Sequence, residues 1–134
     1  MYKSTDAFLS QKRLVSDYFT AWKLYDTALI SAIFIPTARY IIRNKNREFV
    51  GINEIIEYWN RNKQRQQGLE LQWNIMHITG KRADVYFRAD FFDREEAVLM
   101  HIEGEISFYF EQHRISELSE CYRKTFDKIE CKNI

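Results

Sequence analysis

The sequence predicts an α+β domain in which three N-terminal helices close a curved, mainly antiparallel sheet into a cone. Two periodicities support this fold class: apolar residues recur at helical spacing before Gly68, and strict alternation runs from Leu69 to about Phe126. The chain has 134 residues with only four Gly and one Pro, which disfavours long linkers and disordered tails. We therefore expect one domain over residues 1–134, with an internal pocket between sheet and helices.

The first two helices are predicted from apolar spacing and from one proline. The first begins near residues 4–6 and carries a wide apolar stripe, formed by Leu14, Val15, Tyr18, Phe19, Trp22 and Tyr25. The second begins at Asp26 and must end by Ile35, because Pro36 forces the preceding residue into extended geometry.

A small hairpin and a third helix follow. Thr37 to Ile42 and Arg47 to Val50 are prone to form strands, and residues 44–46 supply turn chemistry between them. Asn53 is expected to cap the third helix, and Gly68 to end it.

Three turn signals divide the rest of the chain into four long antiparallel strands. They lie at residues 79–82, 93–96 and 111–114. These strands supply most of the predicted sheet.

Composition excludes several classes of partner. The net charge is only +1, which is unlike a dedicated nucleic-acid-binding protein. No apolar stretch has transmembrane length, and charges interrupt the first 14 residues, so neither a membrane partner nor a signal peptide is predicted. A cytoplasmic location is the expectation that follows.

Neither cysteines nor histidines form a recognisable metal or disulfide pattern. Cys121 and Cys131 are too few for a disulfide framework or a zinc site. His77, His101 and His113 are well separated and belong to no metal-binding motif. We therefore predict no metal and no cofactor.

The chain resembles the nuclear transport factor 2-like superfamily over nearly its whole length. The resemblance rests on Tyr18–Trp22 followed by Asp26, on Phe49–Gly51 leading to Tyr58–Trp59, and on Arg114–Ile115 at the start of the last strand. This superfamily includes SnoaL-like polyketide cyclases, ketosteroid isomerases and limonene-type epoxide hydrolases. The resemblance implies a cone-shaped, cystatin-like fold, but fold alone does not determine activity.

Alternation divides the central strands into two faces without saying which is inside. One face carries Val85, Phe87, Ala89 and Phe91, and the other carries Tyr86, Arg88, Asp90 and Phe92. The ordinary interpretation packs the apolar set against the helices. The family resemblance implies a different interpretation, in which the polar set lines the pocket and the apolar set forms a homodimer interface. A homodimer through the open face of the sheet is therefore expected from the resemblance.

The resemblance also implies a candidate catalytic set. Arg88-x-Asp90 resembles the Arg-x-Asp of limonene-type epoxide hydrolases, and counting back from Arg114–Ile115 places Glu120 at their second aspartate. A carboxylate pair bridged by arginine could activate water and protonate a leaving oxygen, which implies a cofactor-independent hydrolase, cyclase or isomerase acting on a small apolar molecule. The competing interpretation is that Arg88 and Asp90 are an ordinary strand ion pair.

Seven further residues are candidates for binding a ligand in the pocket: Tyr18, Trp22, Tyr40, Trp59, Tyr86, His101 and Glu105. The aromatic members could equally be core residues, and His101 could lie at the surface beside carboxylates. The resemblance to ketosteroid isomerases implies that Glu105 lies near the position of that family's oxyanion-stabilising acid. Ile42 stands where their base would be, so that specific activity is rejected.

A basic cluster on the hairpin and the third helix could bind phosphates, although a solvated surface is the favoured interpretation. It comprises Arg39, Arg43, Lys45, Arg47, Arg61, Lys63 and Arg65. Two functions remain open from sequence: a small-molecule enzyme, or a non-catalytic dimerisation or ligand-sensing module.

Overall fold

The chain folds into three helices and a six-stranded sheet, in a computed structural model that describes residues 2–128 and the side chains of residues 8–127. The helices are α1 (Tyr2–Leu24), α2 (Thr27–Ile33) and α3 (Ile52–Arg65). The strands are β1 (Phe34–Ile42), β2 (Arg47–Val50), β3 (Gln66–Ile78), β4 (Arg82–Asp93), β5 (Val98–Glu111) and β6 (Arg114–Lys128). A single 3₁₀ turn, Arg43–Lys45, joins β1 to β2. The predicted α+β architecture is confirmed.

The sheet has the strand order β2-β1-β6-β5-β4-β3. All neighbouring strands are antiparallel except β1 and β6, which run parallel with Tyr40 opposite Leu118 and Ile42 opposite Glu120. This pairing joins the early hairpin to the last strand, and it therefore brings residues from both ends of the chain to one place.

The second helix ends as predicted. Asp26 caps α2, because its side-chain Oδ1 accepts a hydrogen bond from the Leu29 N–H at 3.0 Å. The helix stops at Ile33, and Pro36 lies within β1.

The predicted ends of the third helix are wrong in two respects. The helix begins at Ile52, directly after Gly51, so Asn53 is already helical and does not cap it. It ends at Arg65, because Gln66 is extended and starts β3. Gly68 instead lies inside β3 with a φ of 67°, where the pairing register with β4 shifts. Glycine tolerates this conformation, so the residue marks a bulge rather than a helix end.

The pairing register decides which face of the sheet is inside. Phe87 lies opposite Gly104, and Arg88 lies opposite Glu103, so the two residue sets occupy opposite faces. Val85, Phe87 and Ala89 are buried against the helices, whereas Arg88 is exposed. We call these the inner face and the outer face. The alternative in which the apolar set forms an open dimer interface is wrong, because the aromatic stripe of α1 needs that apolar face to cover it.

The core beneath the helices is strongly aromatic. The ring of Tyr18 meets those of Trp59 and Phe108 edge to face, at centroid distances of 5.8 and 5.2 Å.

No helix within residues 2–128 combines the length and apolarity needed to cross a membrane.

Candidate functional site

A cavity of about 510 Å³ opens between α3 and the inner face of the sheet. Small-molecule sites usually have volumes of about 300–1,000 Å³, so the space suits a compact organic ligand. Aromatic side chains form much of its wall: Trp22, Tyr40, Tyr58, Trp59, Phe87, Phe91 and Tyr122. Such a wall favours an apolar ligand body.

Among the described lining residues, two buried residues carry carboxyl groups: Asp93, which is ion-paired with Arg65, and Glu120, which has no ion pair. Glu120 lies on the inner face of β6 between Ile42 of β1 and Ile106 of β5, and only 3% of its surface is exposed. Burial raises the pKa of Glu120 to about 7, while the Tyr40 hydroxyl and the positive charges of Lys45 and Arg43 act in the opposite direction. A carboxyl group that titrates near neutrality can both accept and return a proton.

Two buried tyrosines accompany this carboxyl group. The hydroxyl oxygens of Tyr18 and Tyr40 are 2.8 Å apart and share a hydrogen bond. Burial, followed by the negative charge of Glu120, raises the pKa of both phenols well above its usual value. Both hydroxyls therefore stay protonated at neutral pH and are available as hydrogen-bond donors or acceptors.

Trp59 adds an unsatisfied donor to the wall. Its indole is 2% exposed, and Nε1 has no hydrogen-bond partner among the described residues. Because a buried N–H without a partner is costly, this group is a candidate contact for a ligand or water.

The mouth of the cavity is rich in cations: Lys45, Arg47, Arg61, Arg65, Arg94 and Lys124. Arg65 is held by Asp93 at 2.9 Å, and Asp93 in turn accepts the backbone N–H of Glu95 at 2.9 Å. This arrangement fixes the end of α3 to the turn between β4 and β5.

Four residues predicted from sequence line the cavity together: Glu120, Tyr40, Trp22 and Trp59. Tyr18 does not line it but reaches it through the hydroxyl of Tyr40. The structure therefore brings together part of the predicted set, and it does so on the inner face.

The remaining candidates, Arg88, Asp90, Tyr86, His101 and Glu105, lie on the outer face. Asp90 contacts Arg88 at 3.1 Å and His101 Nδ1 at 2.6 Å. Although burial acts the other way, these hydrogen bonds keep the pKa of Asp90 below its usual range. Arg88 and Asp90 are thus separated from Glu120 by the sheet, and the bridged carboxylate pair that the resemblance implied is not formed. The cause is parity, since Asp90 neighbours the inward Phe91 along β4.

Among the lining residues that sequence reasoning missed are Tyr58, Tyr122 and Lys124. Tyr122 and Lys124 follow Glu120 at steps of two along β6, so they share its face. Once Glu120 is placed inside, alternation alone identifies them.

No protein-family model and no curated protein matches the chain. Solved structures do match it. A protein from Catenulispora acidiphila with a ketosteroid isomerase-like fold, in complex with trimethylamine, superposes with a TM-score of 0.72 at 9% identity, covering 80% of this chain and 82% of that one.

Two further structures are similar. A SnoaL-like protein from Shewanella denitrificans has a TM-score of 0.73 at 17% identity and covers 86% of this chain and 90% of its own. An LEH-like epoxide hydrolase from M. tuberculosis has a TM-score of 0.68 at 14% identity, covering 90% and 85%. At these identities the likeness concerns the fold alone. Together with the helix and strand order, it establishes that the chain has the nuclear transport factor 2-like fold.

Proposed function

We propose that the protein binds a small, largely apolar molecule in the cavity and catalyses a cofactor-independent proton transfer on it through Glu120. The observation that supports this most directly is a carboxyl group with a pKa of about 7 in an aromatic wall. Burial lifts a carboxyl pKa towards neutrality at sites of general acid–base catalysis.

The proposed chemistry needs only residues of this chain. The Glu120 carboxylate takes a proton from a bound substrate or from a water molecule beside it, and the carboxylic acid so formed returns a proton to substrate oxygen. Tyr40, linked to Tyr18, orients the carboxyl group and supplies a neutral hydroxyl. Hydrolysis, cyclisation and isomerisation are all accessible to such a group.

Turnover should depend on Glu120. In a panel of enolisable ketones and apolar epoxides, followed by deuterium incorporation and by ring opening, we expect the rate of any substrate to change with an inflection near pH 7. Glu120→Gln should lower kcat/KM by about 100-fold or more, because the general base is lost.

Glu117→Gln provides the matched control, because Glu117 lies on the same strand but pairs with Arg39 at the surface. It should leave turnover unchanged. Turnover that survives Glu120→Gln, or that is lost in Asp90→Asn, would contradict the assignment of the site to the inner face.

A non-catalytic ligand-binding module is the second candidate. It is favoured because the two other carboxyl groups among the described lining residues, those of Asp93 and Glu95, are both ion-paired with Arg65. A cavity that binds small molecules, combined with no turnover of any panel member, would support this alternative.

We also propose that the chain forms a homodimer through the outer face, which no described helix covers. This face carries ion pairs: Arg39 forms salt bridges with Glu48 at 2.9 Å and with Glu117 at 3.2 Å. Native mass spectrometry should give twice the chain mass of 16.3 kDa, and added salt should shift the balance towards monomer. A monomer at all protein concentrations would contradict the proposal.

A further inference from the structure

The cations at the cavity mouth differ in whether a carboxylate neutralises them. Arg61 is paired with Glu57 at 3.1 Å, and Arg65 with Asp93 at 2.9 Å. Within residues 8–127, in contrast, Lys45, Arg47 and Lys124 form no ion pair; Arg94 forms none either, but its guanidinium donates a hydrogen bond to Gln67 Oε1 at 3.3 Å. We call Lys45, Arg47 and Lys124 the rim cations. They line the cavity and therefore face whatever enters it.

The rim cations are crowded as well as unpaired. The pKa of Lys45 is lowered first by burial and then by the positive charges of Lys124, Arg65 and Arg47, which the negative charge of Glu120 opposes only in part. Lys45 is thus both partly desolvated and surrounded by like charges. A bound anion would relieve this repulsion, whereas a neutral ligand would not.

Aromatic rings lie beside two of the three rim cations, Lys45 and Arg47. The ammonium group of Lys45 lies 5.9 Å from the centroid of the Tyr122 ring, and the guanidinium group of Arg47 lies 5.2 Å from that of Phe49. Phe49 stacks in turn on Tyr58, with 4.6 Å between centroids. Tyr122 and Tyr58 belong to the apolar wall, so charge and wall form one continuous surface.

The separation of Lys124 from Glu120 indicates the length of a ligand that spans these two residues, whereas Lys45 lies near enough to Glu120 for their charges to interact. Lys124 lies four residues beyond Glu120 on the same face of β6. At about 3.3 Å per residue, the two backbone positions are roughly 13 Å apart. A ligand with about 1 nm between its charged group and its reacting atom would therefore reach from one to the other.

We infer that the cavity takes an apolar molecule with a single anionic end, carboxylate or phosphate, which binds to Lys45, Arg47 and Lys124 while the opposite end lies beside Glu120. This inference rests on the proposed function and narrows its substrate class. The predicted basic cluster is thereby divided, since its members Lys45 and Arg47 belong to the ligand site, whereas Lys63 lies outside it.

Two fluorescent probes with the same skeleton test the inference: anilinonaphthalene sulfonate, which is anionic, and phenylnaphthylamine, which lacks the sulfonate. The wild-type protein should bind the sulfonate at least about tenfold more tightly, because charge-assisted hydrogen bonds to the rim cations are added. Salt should weaken binding of the sulfonate and not of the neutral probe.

Charge removal at the rim should abolish this preference. The double variant Lys45→Gln/Lys124→Gln should bind the sulfonate at least about tenfold more weakly while binding the neutral probe as before. Lys63→Gln, which removes an exposed charge from α3 outside the cavity, should leave both affinities unchanged. Displacement of the sulfonate by octanoate or by octyl phosphate, with octanol as the neutral comparison, then distinguishes carboxylate from phosphate.

The outcomes separate this inference from the proposed function. Equal binding of the two probes, or equal losses in the rim and Lys63 variants, would overturn the anionic ligand and leave the cavity intact as a binding site. Failure of both probes to bind would overturn both proposals. Loss of turnover in Glu120→Gln with probe selectivity retained would support both.

Discussion

Replacing Glu120 with glutamine is expected to stabilise the protein by about 3 kcal/mol more at pH 8 than at pH 4. The pKa of Glu120 is about 7 in the folded chain, against an ordinary value of 4.5. Each unit of such a difference corresponds to about 1.4 kcal/mol.

The direction in which the free energy of unfolding changes with pH follows from the number of protons that each state binds. Between pH 4.5 and pH 7 the folded state holds more protons at this carboxyl group than the unfolded state. The free energy of unfolding therefore falls as pH rises through this window, and it stays lowered above pH 7. Glutamine cannot ionise, so the variant escapes this loss.

Urea unfolding of both proteins at pH 4, 6 and 8 measures the effect. Because the other titrating groups are common to both proteins, their contributions cancel in the difference. Glu105→Gln is the control: it removes a carboxylate from the outer face of the neighbouring strand and should show no comparable change between the two ends of the pH range. A Glu120→Gln difference that is the same at all three pH values would show that the carboxyl group is not held in a desolvating environment.

The same carboxyl group shows what sequence reasoning could and could not reach. The spacing of apolar residues alone predicts the helices, the four long strands and the two residue sets of β4, because such patterns are local. It does not say which set is inside. That choice depends on the aromatic stripe of α1 covering the set that contains Phe87, a contact between distant segments.

The predicted catalytic set was wrong in part for the same reason: the inner face of the sheet was not known. Glu120 could be placed by its count from Arg114–Ile115, but its partners depend on the parallel pairing of β1 with β6. That pairing brings Tyr40 and Lys45 close to Glu120 from a distant part of the chain. Arg88 and Asp90 fit a motif locally, yet their parity places them on the other face. A motif on a strand identifies chemistry only after the inner face is known.

Gly104 illustrates a constraint that neither period nor motif reveals. It lies on β5 opposite Tyr122 of β6 and Phe87 of β4, two residues that line the cavity. A Cβ at this position would overlap the carbonyl oxygen of Cys121 and would lie 2.6 Å from the Cα of Tyr122. Both are backbone atoms, so no side-chain rotation can relieve the clash.

Gly104→Ala is therefore expected to lower the free energy of unfolding by about 3 kcal/mol or more, as strongly strained core substitutions do. β6 has to move away from β5 at Tyr122, two residues from Glu120, so the folded fraction should also lose affinity for the neutral probe. Urea unfolding and probe titration measure the two effects. Gly80→Ala is the matched control, since a Cβ there would meet nothing within 4 Å, and both properties should be retained. Equal stability of the two variants would mean that β5 and β6 do not approach as closely at Gly104 as the structure shows.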